Sequence, residues 1–238
     1  TCNMKLYEEI IDAWDALLAP FSPRSLPVAK PGWPDSGSRN MVLRGDMAFE
    51  LGEDAFPALG ATAVTVGTGR FGEDQILLCG PDLPELTESG PFARLTVAAV
   101  KDVPDQGSAL YTAIKKIDFV RYHVNPQGFM TRISAIRNRE SARVSREALA
   151  GGLNFSQVGS RMLTGYHENP NILAVRLVYI TDPAFPFPRL EETLARARDI
   201  TRAIDHAMTS SMTDCNVCGL KKVCDQVEGI RQLHFGKA

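Results

Sequence analysis

Residues 41–100 contain short apolar runs separated by glycine and proline, and this alternation constrains the fold more than any other feature. A helix of ordinary length does not tolerate breakers at such short intervals, whereas strands of about four to eight residues do. The sequence therefore predicts a sheet in this region. Its strands are expected over residues 47–51, 63–66, 75–78 and 95–100.

Apolar residues at helical spacing predict helices on both sides of this region. The predicted helices cover residues 5–18, 108–122, 145–150, 156–167 and 189–208. Two further strands are predicted near residues 129–136 and over 172–180, the second being dense in Val, Leu and Ile. Strands that come first, with helices mixed in later, predict an α+β fold with a mixed or antiparallel sheet and packed helices.

The chain divides into three parts by composition. Residues 1–40 combine the first helix with a proline-rich stretch that we expect to form an extended arm on the surface. Residues 41–210 form the α+β domain. Residues 211–238 hold a cluster of cysteines and are expected to form an irregular metal-binding tail.

Charge and hydropathy exclude some classes of function. The net charge of −2 favours neither nucleic-acid binding nor attachment to a membrane surface. No apolar run approaches the roughly 18 residues of a membrane span. The N-terminus lacks the basic-then-apolar order of a signal peptide, so we expect a cytoplasmic protein.

Three of the five cysteines fall within ten residues, as Cys215, Cys218 and Cys224, in the pattern C-x2-C-x5-C. Two residues between cysteines allow both sulfurs to reach one metal centre, and the thiolate of the third cysteine can be a further ligand of the same centre. A tetrahedral zinc or a cubane cluster needs a fourth ligand, for which His234 is the best candidate and Cys2 the alternative. Spacing alone does not decide whether these cysteines hold an iron–sulfur cluster, hold a zinc ion or remain free thiols.

Arginine is concentrated between residues 121 and 161, where seven arginines accompany two carboxylates and no lysine. The planar guanidinium group suits bidentate binding of phosphate or carboxylate. The candidate binding residues are Arg137, Arg139, Arg143 and Arg146. They predict a dock for an anionic ligand or an acidic protein, and the alternative is a solvated face with scattered ion pairs. Arg143 and Arg146 would share one side of any helix that begins there.

Several short pieces then appear in an order that resembles a known family. They are Leu43-Arg44-Gly45-Asp46-Met47, Gly80-Pro81-Asp82-Leu83, Arg137-Asn138, Arg143-Val144-Ser145-Arg146-Glu147-Ala148 and Ile180-Thr181-Asp182. In this order and spacing, residues 42–224 resemble the middle domain of the acetyl-CoA synthase subunit (beta subunit) of the carbon monoxide dehydrogenase/acetyl-CoA synthase complex.

The resemblance favours an iron–sulfur centre, because the family's middle domain leads into cysteines that hold a 4Fe-4S cluster bridged to nickel. The family spaces these ligands C-x2-C-x8-C-x9-C. Here the middle spacer is three residues shorter, and His234 stands in the place of the fourth cysteine. The family also binds coenzyme A near an arginine-rich surface with a tryptophan, whereas Trp14 and Trp33 lie outside the matching stretch.

These features together lead to one functional expectation and two alternatives. We expect an iron–sulfur protein of anaerobic one-carbon metabolism, an electron-transfer or docking subunit for a redox or corrinoid protein. It would be incomplete as a catalyst, since the family's nickel-binding Cys-Gly-Cys is not in the sequence. The first alternative is a module for coenzyme A or another anionic ligand with a structural zinc. The second is a subunit that completes an acetyl-CoA synthase-like enzyme in trans.

Overall fold

The protein has an α+β fold, as the sequence predicts. A computed structural model describes residues 5–30, 32–104, 107–134, 139–209 and 218–227. Its helices are α1 (Glu8–Leu18), α2 (Gly107–His123), α3 (Arg146–Ala150), α4 (Phe155–Tyr166), α5 (Phe187–Thr209) and α6 (Lys221–Gln226). Its strands are β1 (Arg24–Leu26), β2 (Met47–Leu51), β3 (Ala58–Val66), β4 (Gln75–Cys79), β5 (Phe92–Val100), β6 (Phe129–Ser134), β7 (Arg139–Ser145) and β8 (Ile172–Ile180).

A five-stranded mixed sheet with the order β1-β4-β8-β5-β3 forms the centre of the fold. The pairs β3–β5 and β4–β8 are parallel, whereas β5–β8 and β1–β4 are antiparallel. Every residue of β5 is buried, because this strand lies between two neighbours and is covered on both faces. A strand that is buried on both faces has a continuous apolar sequence. This is why the sequence predicts such strands more readily than half-exposed ones.

A separate antiparallel sheet of three strands has the order β2-β7-β6. Its central strand, β7, was not predicted. The sequence of β7 contains two arginines, a glutamate and two serines, so it lacks the apolar alternation that marks a strand. Only the tertiary fold shows that Ala142 and Val144 on one face are completely buried.

The first helix belongs to the same hydrophobic core as the sheets. α1 buries Trp14 and packs against α5, where Trp14 Nε1 donates a 2.8 Å hydrogen bond to Thr193 Oγ1. The proline-rich stretch after it lies against the five-stranded sheet and α4. Its residues 24–26 pair with β4, and the Ala29 N–H donates to Ser160 Oγ at 2.7 Å.

The C-terminal part of the chain differs from the expected irregular tail where the structure describes it. α6 is a short helix that packs against α5, with Leu220, Val223 and Cys224 half-buried against the core. The apolar spacing of these residues is what places a helix there. Among the helices of the described ranges, none is long and apolar enough to cross a membrane.

Candidate functional site

The predicted metal ligands fall only partly within the described residues. Cys215 and His234, and the alternative ligand Cys2, lie outside them. Cys218 and Cys224 are half-buried, and they lie on either side of the start of α6. The Lys221 N–H donates to the Cys218 carbonyl at 3.1 Å, which fixes the turn between the two cysteines.

No group of three or more His, Cys, Asp or Glu side chains that could hold a metal is present in the described part of the chain. Two of the four proposed ligands are outside that part, so the metal site stays a prediction. The two described thiols still fit one requirement of such a site. They lie on one short segment that α5 holds in place, and neither is deeply buried.

Cys79 provides a contrast, because it is a structural thiol. It ends β4 and is only 1% exposed. Burial, and to a smaller extent the charge of Asp182, raises the pKa of Cys79 to about 11. A thiol with so high a pKa stays protonated at neutral pH, whereas metal ligation requires the thiolate.

The predicted arginine surface lies on the outward face of the three-stranded sheet. Alternation along β7 places Arg139 and Arg143 on this face, while Glu140 points to the opposite, buried side. Arg132 of β6 shares the outward face, because it pairs with Ser141 of β7. Arg143 is therefore in a strand, and Arg146 begins α3 near the start of the helix predicted over residues 145–150, so no helix contains both arginines.

Glu50 of β2 is the carboxylate at the centre of this face. It is directly opposite Arg143 in the register, and Arg143 Nε donates to Glu50 Oε2 at 2.9 Å. Arg132 Nη1 donates to Glu50 Oε1 at 3.2 Å. The two arginines cover Glu50, whose side chain is only 5% exposed. One carboxylate thus divides its two oxygens between two guanidinium groups.

The other two candidate arginines that the structure describes bind mainly to backbone oxygens. Arg139 Nη2 donates to the Gly52 carbonyl at 2.9 Å and lies 3.5 Å from the exposed carboxylate of Asp54. Arg146 Nη1 donates to the Gly45 carbonyl at 2.9 Å. Arg137 is outside the described residues. The described arginines of this face are held by the protein itself, and the binding of an anion there stays a prediction.

A loop with exposed apolar side chains adjoins the arginine surface. Met41 is 72% exposed and Leu43 is 57% exposed, which is unusual for side chains of this size. The loop is fixed on this sheet, because the Val42 N–H donates to Met130 Sδ at 3.3 Å and the Arg146 N–H donates to the Asp46 carbonyl. Arg44 within the loop is exposed as well. We call residues 41–46 together with Arg132, Arg143 and Arg146 the arginine–methionine surface.

The structure also contains a buried charge cluster that sequence reasoning missed. Arg94 Nε lies 2.5 Å from Glu140 Oε1, and Arg121 Nη2 donates to Glu140 Oε2 at 2.7 Å. Arg121 Nη1 completes the cluster by donating to Asp118 Oδ1 at 3.0 Å. The side chains of Arg94, Glu140 and Arg121 are 1%, 0% and 7% exposed. Because they come from β5, β7 and α2, the cluster joins the two sheets and a helix.

Close approach of the β3 backbone makes this cluster possible. A Cβ at Gly60 would lie 2.2 Å from Glu140 Oε2 and 2.7 Å from Arg121 Nη2. No side chain larger than that of glycine leaves room for the carboxylate. The sequence offered two signs of this cluster: an arginine within the apolar run of β5 and a glycine within β3. Neither indicates a charge cluster until the fold places β3, β5 and β7 side by side.

The electrostatics of the cluster follow from its burial. Burial alone would lower the pKa of Arg121, but the charges of Glu140 and Asp118 outweigh it and hold that pKa above its ordinary value. Burial also raises the pKa of Tyr179, which packs nearby. The positive charge of Arg94 beside the Tyr179 hydroxyl opposes this effect in part.

Comparison with known proteins adds no relative to these observations, since neither the protein-family models nor the curated proteins contain a match to this chain.

Proposed function

We propose that this chain is a cytoplasmic iron–sulfur protein of one-carbon metabolism, related to acetyl-CoA synthase, that acts as an electron-transfer or docking subunit. The observation that carries the proposal is the C-x2-C-x5-C spacing of Cys215, Cys218 and Cys224. Thiolates are the usual ligands of iron–sulfur clusters. The position of Cys218 and Cys224 beside a helix anchored on α5 supports it, because an anchored segment offers ligands with little loss of chain entropy.

A cluster at this site would supply one-electron transfer, and the chain would supply its ligands and its surroundings. Lys221 and Lys222 lie between Cys218 and Cys224. Lys221 is paired with Asp225 at 2.6 Å, and the exposed charge of Lys222 favours the approach of an anionic partner to this end of the molecule.

Metal analysis of protein purified without oxygen tests the cluster. We expect a brown protein with about four irons per chain. Cys218→Ser and Cys224→Ser should lose most of the iron. Cys79→Ala is the matched control and should keep the iron, because Cys79 is a buried, protonated thiol on β4. Protein without bound metal under these conditions would refute the proposal.

The fourth ligand is tested by substitution of His234. His234→Ala should leave a labile or three-iron cluster, because one ligand is lost. His234→Cys should lower the reduction potential, since an anionic thiolate replaces a neutral imidazole. Unchanged spectra and potentials in both variants would exclude His234 and favour Cys2 or another ligand.

The docking role rests on the arginine–methionine surface. Its centre offers exposed Met41 and Leu43, and Arg44 and Arg146 flank them without a carboxylate partner among the described residues. Apolar side chains ringed by arginines are characteristic of protein interfaces, and the charge would select an acidic partner. The fitting partner is a low-potential redox protein or a corrinoid protein with an acidic surface.

Binding to a low-potential ferredoxin and to a corrinoid protein, measured at several salt concentrations, tests this surface. We expect affinity to fall as salt rises, because exposed charges are screened over about 8–10 Å at physiological ionic strength. Arg44→Ala should weaken binding several-fold, whereas Arg189→Ala, at another exposed arginine, should not. Equal effects of the two substitutions, or no binding of either protein, would exclude this docking role.

A module for coenzyme A or another phosphate-bearing ligand, with a structural zinc, is the second candidate. Arg132 favours it, because its side chain is 58% exposed and Glu50 engages only one of its nitrogens. Colourless protein with one tightly bound zinc, together with coenzyme A binding that Arg143→Ala/Arg146→Ala removes, would replace the first proposal by this one.

A further inference from the structure

The two sheets have four edge strands, and in the described part of the chain only one of these is both accessible and longer than three residues. β1 has three residues, and β3 is buried along most of its length. β2 is covered on its outer side, because the Glu50 N–H donates to Ser89 Oγ at 3.1 Å and the Gly52 N–H donates to the Gly90 carbonyl at 2.7 Å. The accessible edge is therefore that of β6, in the three-stranded sheet.

The backbone of β6 presents unpaired groups along this edge. The Phe129 N–H donates to the Pro126 carbonyl at 2.9 Å, and the Phe129 carbonyl accepts from Asn40 Nδ2 at 2.9 Å, so neither group pairs with β7. In an antiparallel pair, residues that bond to the partner strand alternate with residues that do not. Thr131 and Ile133 therefore direct their N–H and C=O groups away from β7, and no described residue bonds to these groups.

Side chains of β6 alternate between the two faces of the sheet. Arg132 lies on the outward face, within the arginine–methionine surface, and its side chain is 58% exposed. Thr131 and Ile133 lie on the opposite face and are half-buried. An added strand would continue both faces, because its side chains alternate in the same way. Its outward side chains would lie beside Arg132 and its inward side chains beside Ile133.

The charge of the outward face decides which strand fits this edge. Arg132 and Arg143 share the single carboxylate of Glu50, so one positive charge of this group is not balanced. Acidic side chains on the outward face of an added strand would balance it, since opposite charges across two strands stabilise their pairing. A second copy of this chain would not, because antiparallel pairing of two β6 strands places two positive faces side by side.

We propose that the edge of β6 binds an extended acidic segment of a partner protein as a fourth, antiparallel strand of the three-stranded sheet. Both existing pairs of this sheet are antiparallel, and an exposed edge is a template for such an addition. The segment alternates acidic side chains, which face Arg132, with apolar side chains, which face Ile133. Strand addition at β6 rests on the docking role proposed for the arginine–methionine surface, and it does not require the cysteines.

Fluorescence anisotropy with a labelled, end-blocked peptide of alternating glutamate and valine tests the proposal. Opposite residues of an antiparallel pair share a face, so the valine amides of this peptide bond to Thr131 and Ile133. We expect N-methylation of the valines to weaken binding at least about tenfold, because two backbone hydrogen bonds are lost. N-methylation of the glutamates is the matched control and should leave the affinity within about twofold, because those amides lie on the far edge of the added strand.

A peptide of alternating lysine and valine tests the charge. It should bind more weakly than the glutamate peptide at low salt, because its ammonium groups lie beside Arg132. Equal affinities of the two N-methylated peptides would overturn the proposal, as would equal affinities of the lysine and glutamate peptides or absence of binding by the unmodified peptide.

Variants of Ile133 locate the binding edge. Ile133→Pro removes an outward N–H donor and no hydrogen bond to β7, and an edge strand tolerates proline at such a position. It should weaken binding of the glutamate–valine peptide about fivefold, because one hydrogen bond is lost. Ile133→Val keeps the N–H and should bind this peptide as the unchanged protein does. Equal affinities of the two variants would exclude this edge, and the N-methylated peptides test it without any change to the protein.

Two outcomes separate a failure of strand addition from a failure of the docking proposal. Ferredoxin or corrinoid-protein binding that Arg44→Ala weakens, together with no effect of valine N-methylation, would keep the docking surface and overturn strand addition. A dimer that Ile133→Pro converts to a monomer in sedimentation, together with no peptide binding, would show that a second copy covers the edge, and it would also overturn the proposal.

Discussion

Replacement of Glu140 by glutamine tests the buried charge cluster most directly. The substitution keeps the shape of the side chain and removes its charge. Glu140 is fully buried, and it is the carboxylate shared by Arg94 and Arg121. Without the negative charge of Glu140, the positive charges of two buried guanidinium groups are no longer fully neutralised. Removal of one partner from a buried ion pair lowers the free energy of unfolding by about 3–5 kcal/mol.

That loss is large compared with the whole stability of a domain, which is about 5–15 kcal/mol. For a chain of this size each kcal/mol corresponds to about 2–4 °C in Tm. We therefore expect Glu140→Gln to lower Tm by about 10 °C and to shift the urea midpoint without a change in the m-value. Fluorescence of Trp14 and Trp33 reports the transition.

Glu147→Gln is the matched control for this experiment. Glu147 is exposed on α3, so its substitution should change the free energy of unfolding by no more than about 0.5 kcal/mol. Equal stability of the two variants would refute the reasoning, because it would mean that the charge of Glu140 contributes little to holding the two sheets and α2 together.

Three further predictions concern other parts of the fold. Gly60→Ala should destabilise the protein by more than about 2 kcal/mol, because its Cβ would lie 2.2 Å from a carboxylate oxygen of the cluster; Gly69→Ala, with no atom within 4 Å, should have little effect on urea unfolding. Cys79, whose pKa of about 11 keeps its thiol protonated at pH 8, should react with thiol reagents only after unfolding, and rapid reaction of the folded protein would contradict its burial. A hydrogen bond from the Asp82 backbone N–H, and then the guanidinium of Arg24, lower the pKa of Glu85 from its ordinary value, so an NMR titration should give a midpoint below that of an ordinary glutamate, and Arg24→Ala should raise this midpoint only in part.

Much of the secondary structure could be predicted from local patterns. The strand over residues 47–51 and the strand over 172–180 were predicted with the bounds that the structure has, and the helix over 108–122 differs by one residue at each end. These segments are apolar at a regular period, and burial of one face or both keeps that period in the fold. Two strands were not predicted. β1 has only three residues and β7 is largely polar, so neither has the apolar alternation by which a strand is recognised in a sequence.

The local surplus of arginine in the sequence does not predict which carboxylate or backbone group each arginine contacts. The sequence established a surplus of arginine between residues 121 and 161. The partners are distant in the chain, as with Arg143 and Glu50, which meet only because β2 pairs with β7.

The sequence by itself determined the α+β class, the main helices and strands, and the cysteine spacing on which the proposed metal site depends. Each of these is a local property, because periodicity and ligand spacing lie within about twenty residues. The tertiary structure alone decided that Arg94 and Glu140 meet, and that Gly60 leaves room for them. Residues 94 and 140 come from different sheets, and only the packing of those sheets, driven by burial of their apolar faces, brings the two charges within 2.5 Å.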